Sequence, residues 1–245
     1  MRPFLSARWR HLLMLNYAVG PELLQPFVPK GVELDTWNGT TYVSMVGFLF
    51  QRTRVLGLAI PGHSNFEEVN LRFYVRRRAE EGWRRGVVFI KEIVPRRLIA
   101  VVARGIYSEP YAAMPMRHRV ELENGNLREG ATIEYAWRWR GRWNSLKAVT
   151  AGQPYFPAED SEEAFITEHY WGYTARRGGG CAEYRVEHPR WKVWRVRDAA
   201  LDCDVAGLYG EQFVEALSGP PNSAFIAEGS EVSVGGGNAL LTEGF

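Results

Sequence analysis

The 245-residue chain is poor in the residues on which many catalytic and scaffold signatures depend. It has two cysteines, Cys181 and Cys203, 22 positions apart and with no C-x-x-C, so neither a disulfide framework nor a cysteine metal site is expected. That usage fits a reducing compartment, and the expected location is the cytoplasm. Lysine is scarce too. Of 30 basic residues only Lys30, Lys91, Lys147 and Lys192 are lysines, which leaves four candidates for any chemistry that needs a primary amine. No apolar run reaches the ~18 to 20 residues of a spanning helix, since Tyr42–Phe50 ends after nine. The opening MRPFLSARWRHLLMLNYAV is interrupted by His11 and Asn16 and lacks a clean A-x-A site, so it reads as mature chain rather than a signal peptide. No membrane partner is expected. Neither sign of charge dominates: 30 Lys+Arg against 28 Asp+Glu gives +2, without the field a nucleic-acid partner requires. P-loop, G-x-G-x-x-G, H-E-x-x-H and G-x-S-x-G motifs are all missing. The five histidines form no i, i+4 pair, so no metal and no cofactor is expected.

What remains is apolar and aromatic: 46% hydrophobic residues, 13% of the chain aromatic. That suffices for a full core. No linker or low-complexity block divides the sequence, so residues 1–245 read as a single domain. Tyr42–Phe50 has the length and composition of a strand buried on both faces. Val69, Leu71, Phe73 and Val75 alternate with Asn70, Arg72, Tyr74 and Arg76, as an amphipathic strand does. After a polar turn (EEGWRRG), Val87–Val94 and Leu98–Tyr107 read as a hairpin. Asn124-Gly125 supplies a tight turn, and Ile133 to Arg140 alternates again. Trp137–Trp143 (WRWRGRW) could be taken for a nucleic-acid surface, but its alternation fits a strand with tryptophans inward. Short helices are predicted from Ser161, with acids in its first turn, and over Val205–Leu217. A last strand is expected over Ala224–Val234. The whole reads as mainly β, about ten strands and two small helices, closed into a barrel.

Two features suggest a binding site. Glu68, Asn70, Arg72 and Tyr74 project to one side of their strand, facing either solvent or a barrel interior lined with hydrogen-bonding groups. Arg104 ends an otherwise apolar row (Leu98, Ala100, Val102, Ile106) and must reach water, a carboxylate or an anionic ligand.

The runs Asn65–Val75 (NFEEVNLRFYV), Gly86–Ile90 (GVVFI), Ala103–Met114 (ARGIYSEPYAAM), Ile166–Tyr173 (ITEHYWGY) and Val186–Trp191 (VEHPRW) resemble, in order and spacing, the YqjF-like family of uncharacterised bacterial proteins. The resemblance covers essentially the whole chain. It implies a place in the acetoacetate decarboxylase-like superfamily, whose fold is a closed, cone-like β-barrel of antiparallel and mixed strands around a small-molecule cavity. Along Gly86–Ala112 the chain is similar to the decarboxylase hairpin itself, with Arg104 on its arginine and Pro110 on its proline. The two lysines that follow in the decarboxylase, one of them the Schiff-base residue, are here Tyr111 and Ala112. Lys91, expected on a face with Val87, Phe89 and Ile93, is the only nearby substitute. The family-like segments also contribute Glu168, Tyr170 and His188, and His11 sits where the family often has histidine.

The resemblance therefore implies a barrel that binds a small oxygenated or carboxylated metabolite without imine chemistry. Its expected ligand contacts are Asn70, Arg72, Tyr74, Arg104, Tyr111, Glu168, His188 and His11. One alternative is a lyase or hydrolase acting on a keto or carboxylate metabolite. It would use Glu67 or Glu68 as acid/base, Arg104 as anchor and Tyr111 nearby. The other is a structural or interaction protein with a filled barrel. A cavity of at least a few hundred cubic ångströms would favour binding over filling. Arg104 is expected to meet Glu67 or Glu68 across the lumen, and a homo-oligomer is compatible with the superfamily.

Overall fold

The computed structural model describes residues 3–96, 110–176 and 180–240. Its strands in chain order are β1 (Leu5–Val19), β2 (Glu33–Leu34), β3 (Thr41–Val55), β4 (Leu58–Ala59), β5 (Phe66–Ala79), β6 (Gly82–Val94), β7 (Tyr111–Ala113) and β8 (Met116–Val120). They continue as β9 (Thr132–Trp139), β10 (Arg142–Tyr155), β11 (Trp171–Ala175), β12 (Cys181–Glu187), β13 (Val193–Asp202), β14 (Ser223–Ala227), β15 (Glu231–Val234) and β16 (Asn238–Leu240). The helices are short: α1 (Pro21–Leu24), α2 (Glu162–Thr167), α3 (Val205–Tyr209) and α4 (Val214–Ser218). Among the described residues no helix is long and apolar enough to cross a membrane.

Strand pairing closes the molecule on itself. Following hydrogen-bonded neighbours through β1, β3, β5, β6, β11, β12 and β15 leads back to β1. These seven strands form a barrel with no free edge. Every pair is antiparallel except β6–β11, which is parallel and short: it pairs Trp171↔Gly86 and Gly172↔Val87, with Tyr170 N donating to the Arg85 carbonyl at 3.1 Å just before it. β1 does double duty. Its first half, Leu5–Arg8, pairs with β15 in the barrel, whereas Leu12–Asn16 pairs with β14. From there a second sheet continues through β13, β10, β9 and β8. The handover falls at a β-bulge, where His11 takes φ 57° between the Arg10 and Leu13 pairings with β3; such an insertion bends a strand and re-aims its side chains.

The second sheet folds back over the outside of the barrel. Tyr135 of β9 donates its hydroxyl to the His11 carbonyl at 2.8 Å. Its ring lies so close to Gly47 of β3 that a Cβ there would stand 2.6 Å from it. One core lies between the layers and takes Val69, Leu71, Phe73 and Val75 from β5 together with Ile133, Tyr135 and Trp137 from β9. The other face of β5 looks into the barrel.

The amphipathic strands, the Asn124-Gly125 turn and the Ser161 helix start stand where the alternation and capping signals put them. Other boundaries differ. The EEGWRRG segment is a turn only at Glu80-Glu81, because Ala79 already pairs with Gly82. The ribbon persists beyond the core through stacking of Arg76 on Trp83, 4.4 Å from the ring centroid. Ala224–Val234 is two strands, broken where Gly229 (φ 79°) turns so tightly that a Cβ would lie 2.0 Å from the Trp9 carbonyl. Val205–Leu217 is likewise two helices, interrupted at Gly210 (φ 104°). Sixteen described strands replace the expected ten, because bulges and turns cut the long runs. The expected strand Leu98–Tyr107, with Arg104, lies outside the described residues.

Candidate functional site

β5 delivers the polar groups of the site. Its period-2 alternation turns Glu68, Asn70 and Arg72 into the barrel, where Glu68 and Asn70 are only 3% and 2% exposed. They do not face solvent. Asn70 Nδ2 donates to Glu68 Oε1 at 3.0 Å, and the Tyr111 hydroxyl donates to Glu68 Oε2 at 3.3 Å. Burial nevertheless raises the Glu68 carboxyl to about 7, against those two hydrogen bonds and the Arg72 charge, which all pull the other way. Tyr111 enters because β7 pairs in parallel with β6, setting it opposite Glu92, a second buried carboxyl facing the cavity.

These groups line a cavity of about 150 Å³ whose remaining walls are mostly apolar, with Trp9, Phe48, Phe50 and Phe89 among them and the polar side chains of Thr53, His169 and His188 between. It falls short of the few hundred cubic ångströms that would by themselves favour binding over filling, and the space that aromatic packing leaves admits only a compact occupant. None of the four lysines lines it. Lys91 does not share a face with Val87 and Phe89, because Ile90 forms a bulge between the Leu71↔Lys91 and Arg72↔Phe89 pairings. The insertion flips the face, as a one-residue slip must. Lys91 therefore leaves the barrel and donates to the Leu208 carbonyl near the Tyr209 ring. There burial lowers its pKa.

The opposite wall is built by α2 and the residues that follow it. Ser161 caps this helix by accepting from Ala164 N at 3.2 Å. The Ile166 carbonyl at the other end receives Arg72 Nη2 at 3.3 Å. His169 follows, 7% exposed, with Tyr74 and Phe165 against its ring at centroid distances of 4.8 and 5.0 Å. Its Nε2 meets Asp35 Oδ2 at 3.1 Å, and Arg85 Nε donates to the same oxygen at 2.6 Å. Burial drives the imidazole down to about 4, outweighing the Asp35 hydrogen bond that would raise it. Burial alone would raise Asp35, but hydrogen bonds from His169 and Arg85 bring it to about 2. The contact is thus a neutral imidazole N–H on a carboxylate, with Arg85 as the counter-charge.

The structure gathers Glu68, Asn70, Arg72, Tyr111 and His188 around the cavity. His188 stacks on Trp191 at 3.9 Å, and burial lowers it to about 4. Other candidates stand elsewhere. Glu67 points to the opposite face of β5 and meets His118 Nδ1 at 2.6 Å, a hydrogen bond that lowers its pKa. Tyr74 lies behind the wall, its hydroxyl 2.7 Å from Ser44 Oγ. Glu168 accepts from Arg190 Nε at 2.7 Å on the surface. His11 sits at the β1 bulge away from the cavity, lowered to about 4 chiefly by burial. Arg104, and with it the expected meeting across the lumen, lies outside the described residues. Sequence reasoning did not single out Asp35, Arg85, His169 or Glu92. Of these only Glu92 carried a signal, an acid within the apolar run Val87–Val94.

A family model described as an uncharacterized conserved protein, DUF2071, matches residues 6–231. The uncharacterized protein YqjF of Bacillus subtilis (strain 168) is 28% identical over 204 residues, 80% of this chain and 76% of that protein. Among solved structures, an acetoacetate decarboxylase from Legionella pneumophila superposes with a TM-score of 0.66 at 13% identity, over 98% of this chain and 87% of that one. The enduracididine biosynthesis enzyme MppR, complexed with pyruvate, gives 0.70 at 14% identity, over 98% and 91%. At these identities the likeness establishes the fold, which is acetoacetate decarboxylase-like.

Proposed function

The chain belongs to the DUF2071 family of uncharacterized conserved proteins, and from that premise we propose that it binds a compact oxygenated or carboxylated metabolite inside its barrel, without forming an imine. The observation that carries this reading is the convergence of Glu68, Asn70, Arg72 and Tyr111 on one mostly apolar cavity inside the barrel. Burying a carboxyl, an amide and a guanidinium costs several kcal/mol unless they have partners, and a filled barrel would not need them. The pyruvate bound to MppR supports short carboxylates as first candidates. The two cysteines are free, which supports the cytoplasm as the location.

The test is a thermal-shift screen against short keto, hydroxy and dicarboxylic acids. A ligand present at 100 Kd should stabilise the protein by about 2.7 kcal/mol, and Arg72→Met should abolish the shift. If millimolar concentrations of every member leave the melting temperature unchanged, the reading fails. A catalytic version has one observation in its favour, the Glu68 carboxyl near 7, suited to a general acid or base at neutral pH. In that version Glu68 rather than Glu67 exchanges the proton and Arg104 anchors a carboxylate. Turnover of a ligand found in the screen, lost in Glu68→Gln, would distinguish it from binding alone.

A further inference from the structure

We infer that the occupant carries a hydroxyl beside its carbonyl or carboxylate: a hydroxy acid or hydroxy ketone of about three or four carbons, not a bare keto acid. This rests on the binding reading above and narrows it. Buried polar atoms in folded proteins are nearly always hydrogen-bonded, so an orphan needs an explanation. Five cavity-lining residues each hold a shielded atom with no partner among the described residues: Trp9 Nε1, Thr53 Oγ1, Asn70 Oδ1, Arg72 Nε and His169 Nδ1.

Chemistry and neighbours fix most of their donor and acceptor senses. Asn70 turns its NH₂ toward Glu68, which leaves the amide oxygen as acceptor. His169 keeps its proton on Nε2, facing the ionised Asp35, so Nδ1 offers a lone pair. Arginine can only donate. The Trp9 indole N–H likewise only donates, and the Thr53 hydroxyl serves either sense. The cavity therefore asks for up to two acceptors and up to two donors. A keto acid supplies acceptors alone and would leave Asn70 and His169 unsatisfied. A hydroxy acid or hydroxy ketone serves both senses. Sites built to hydrogen-bond a hydroxyl reject analogues lacking it far more strongly than apolar pockets reject a missing methylene. Size agrees, since a cavity of 150 Å³ holds about six non-hydrogen atoms, a benzene's worth. Contacts from three different residues should also read handedness.

Isothermal titration of the full chain with matched probes tests this: D- and L-lactate against pyruvate, and hydroxyacetone against acetone. The hydroxylated member of at least one pair should bind at least about tenfold tighter, a difference of about 1.4 kcal/mol. The two pairs separate acid from ketone as the source of the carbonyl. One hydroxyl proton can be donated to only one of the two acceptors, so Asn70→Leu or His169→Phe should shrink the preference to within about twofold. Pyruvate and acetone binding as tightly as their hydroxylated partners overturns this inference and leaves the binding reading intact. A preference that survives in both variants, or in the folded double variant, also overturns it, and silence of every probe removes both.

Discussion

Burial raises the Glu68 carboxyl to about 7 from an ordinary 4.5, and that shift has a sign that can be measured. A carboxyl raised in the folded state favours folding while protonated, and its contribution is lost as pH rises from about 4.5 through about 7. Glu68→Gln cannot titrate. The stability of the wild type relative to this variant should therefore fall by on the order of 3 kcal/mol between pH 4.5 and 8, read from urea denaturation at both ends. A difference that stays flat means that Glu68 behaves as a solvated carboxylate, which contradicts its burial. At this scale the sequence was half legible. Alternation put Glu68, Asn70 and Arg72 on one face, but only the second sheet, packed on the other face, shows which side is the barrel interior. His169 was illegible because its partner Asp35 is 134 residues away, and local pattern carries no information about such a contact.

Elements position these residues through two weak joints. α2 is six residues long, too short to hold itself without its cap, yet it presents the Ile166 carbonyl to Arg72 and leads into His169. Ser161→Ala should cost about 1 kcal/mol and speed amide exchange over residues 162–169; unchanged exchange there would show that tertiary packing, not the cap, holds the helix. The second joint is the two-pair parallel seam between β6 and β11. Gly172 lies under the Tyr184 ring, and a Cβ there would sit 2.0 Å from Cζ. Gly172→Ala should destabilise by roughly 1–3 kcal/mol and expose β11 to exchange before the other barrel strands. Uniform exchange across the barrel would mean that the seam is no weaker than the antiparallel ladders. Strands were readable from their period of two, whereas bulges were not. The extra residue at Ile90 turns Lys91 out of the barrel, and the one at His11 divides β1 between two sheets, because an insertion reverses every side chain beyond it.

Closure of the barrel was expected, but its ring was not traceable in advance, since β1 pairs with both β3 and β15 from opposite ends of the chain. Enclosure has consequences for the whole molecule. Burial holds His11, His169 and His188 near 4, so each stabilises while neutral, and that contribution is lost as pH falls from about 6.5 through 4. Near pH 5 unfolding should take up close to one proton per histidine and release most of one from Glu68, a net uptake of about two. The pH dependence of the unfolding free energy should accordingly slope by about 2.7 kcal/mol per unit there; a flat profile would mean that the histidines are hydrated. The same enclosure decides the amine question. An imine needs an unprotonated amine within reach of the carbonyl carbon. Burial lowers the Lys91 pKa, in the direction of the first condition, but its amine is tied to Leu208 on the far side of β6. Tyr111 lines the cavity but has no nitrogen to condense. Incubation with acetoacetate and borohydride should leave the intact mass unchanged, and carbon dioxide release should not exceed buffer. An adduct mapped to Lys91 in the folded protein, and weaker in a denatured control, would show that β6 can turn this amine into the barrel. Adducts on Lys30, Lys147 or Lys192 that persist after denaturation would mark surface chemistry outside the cavity.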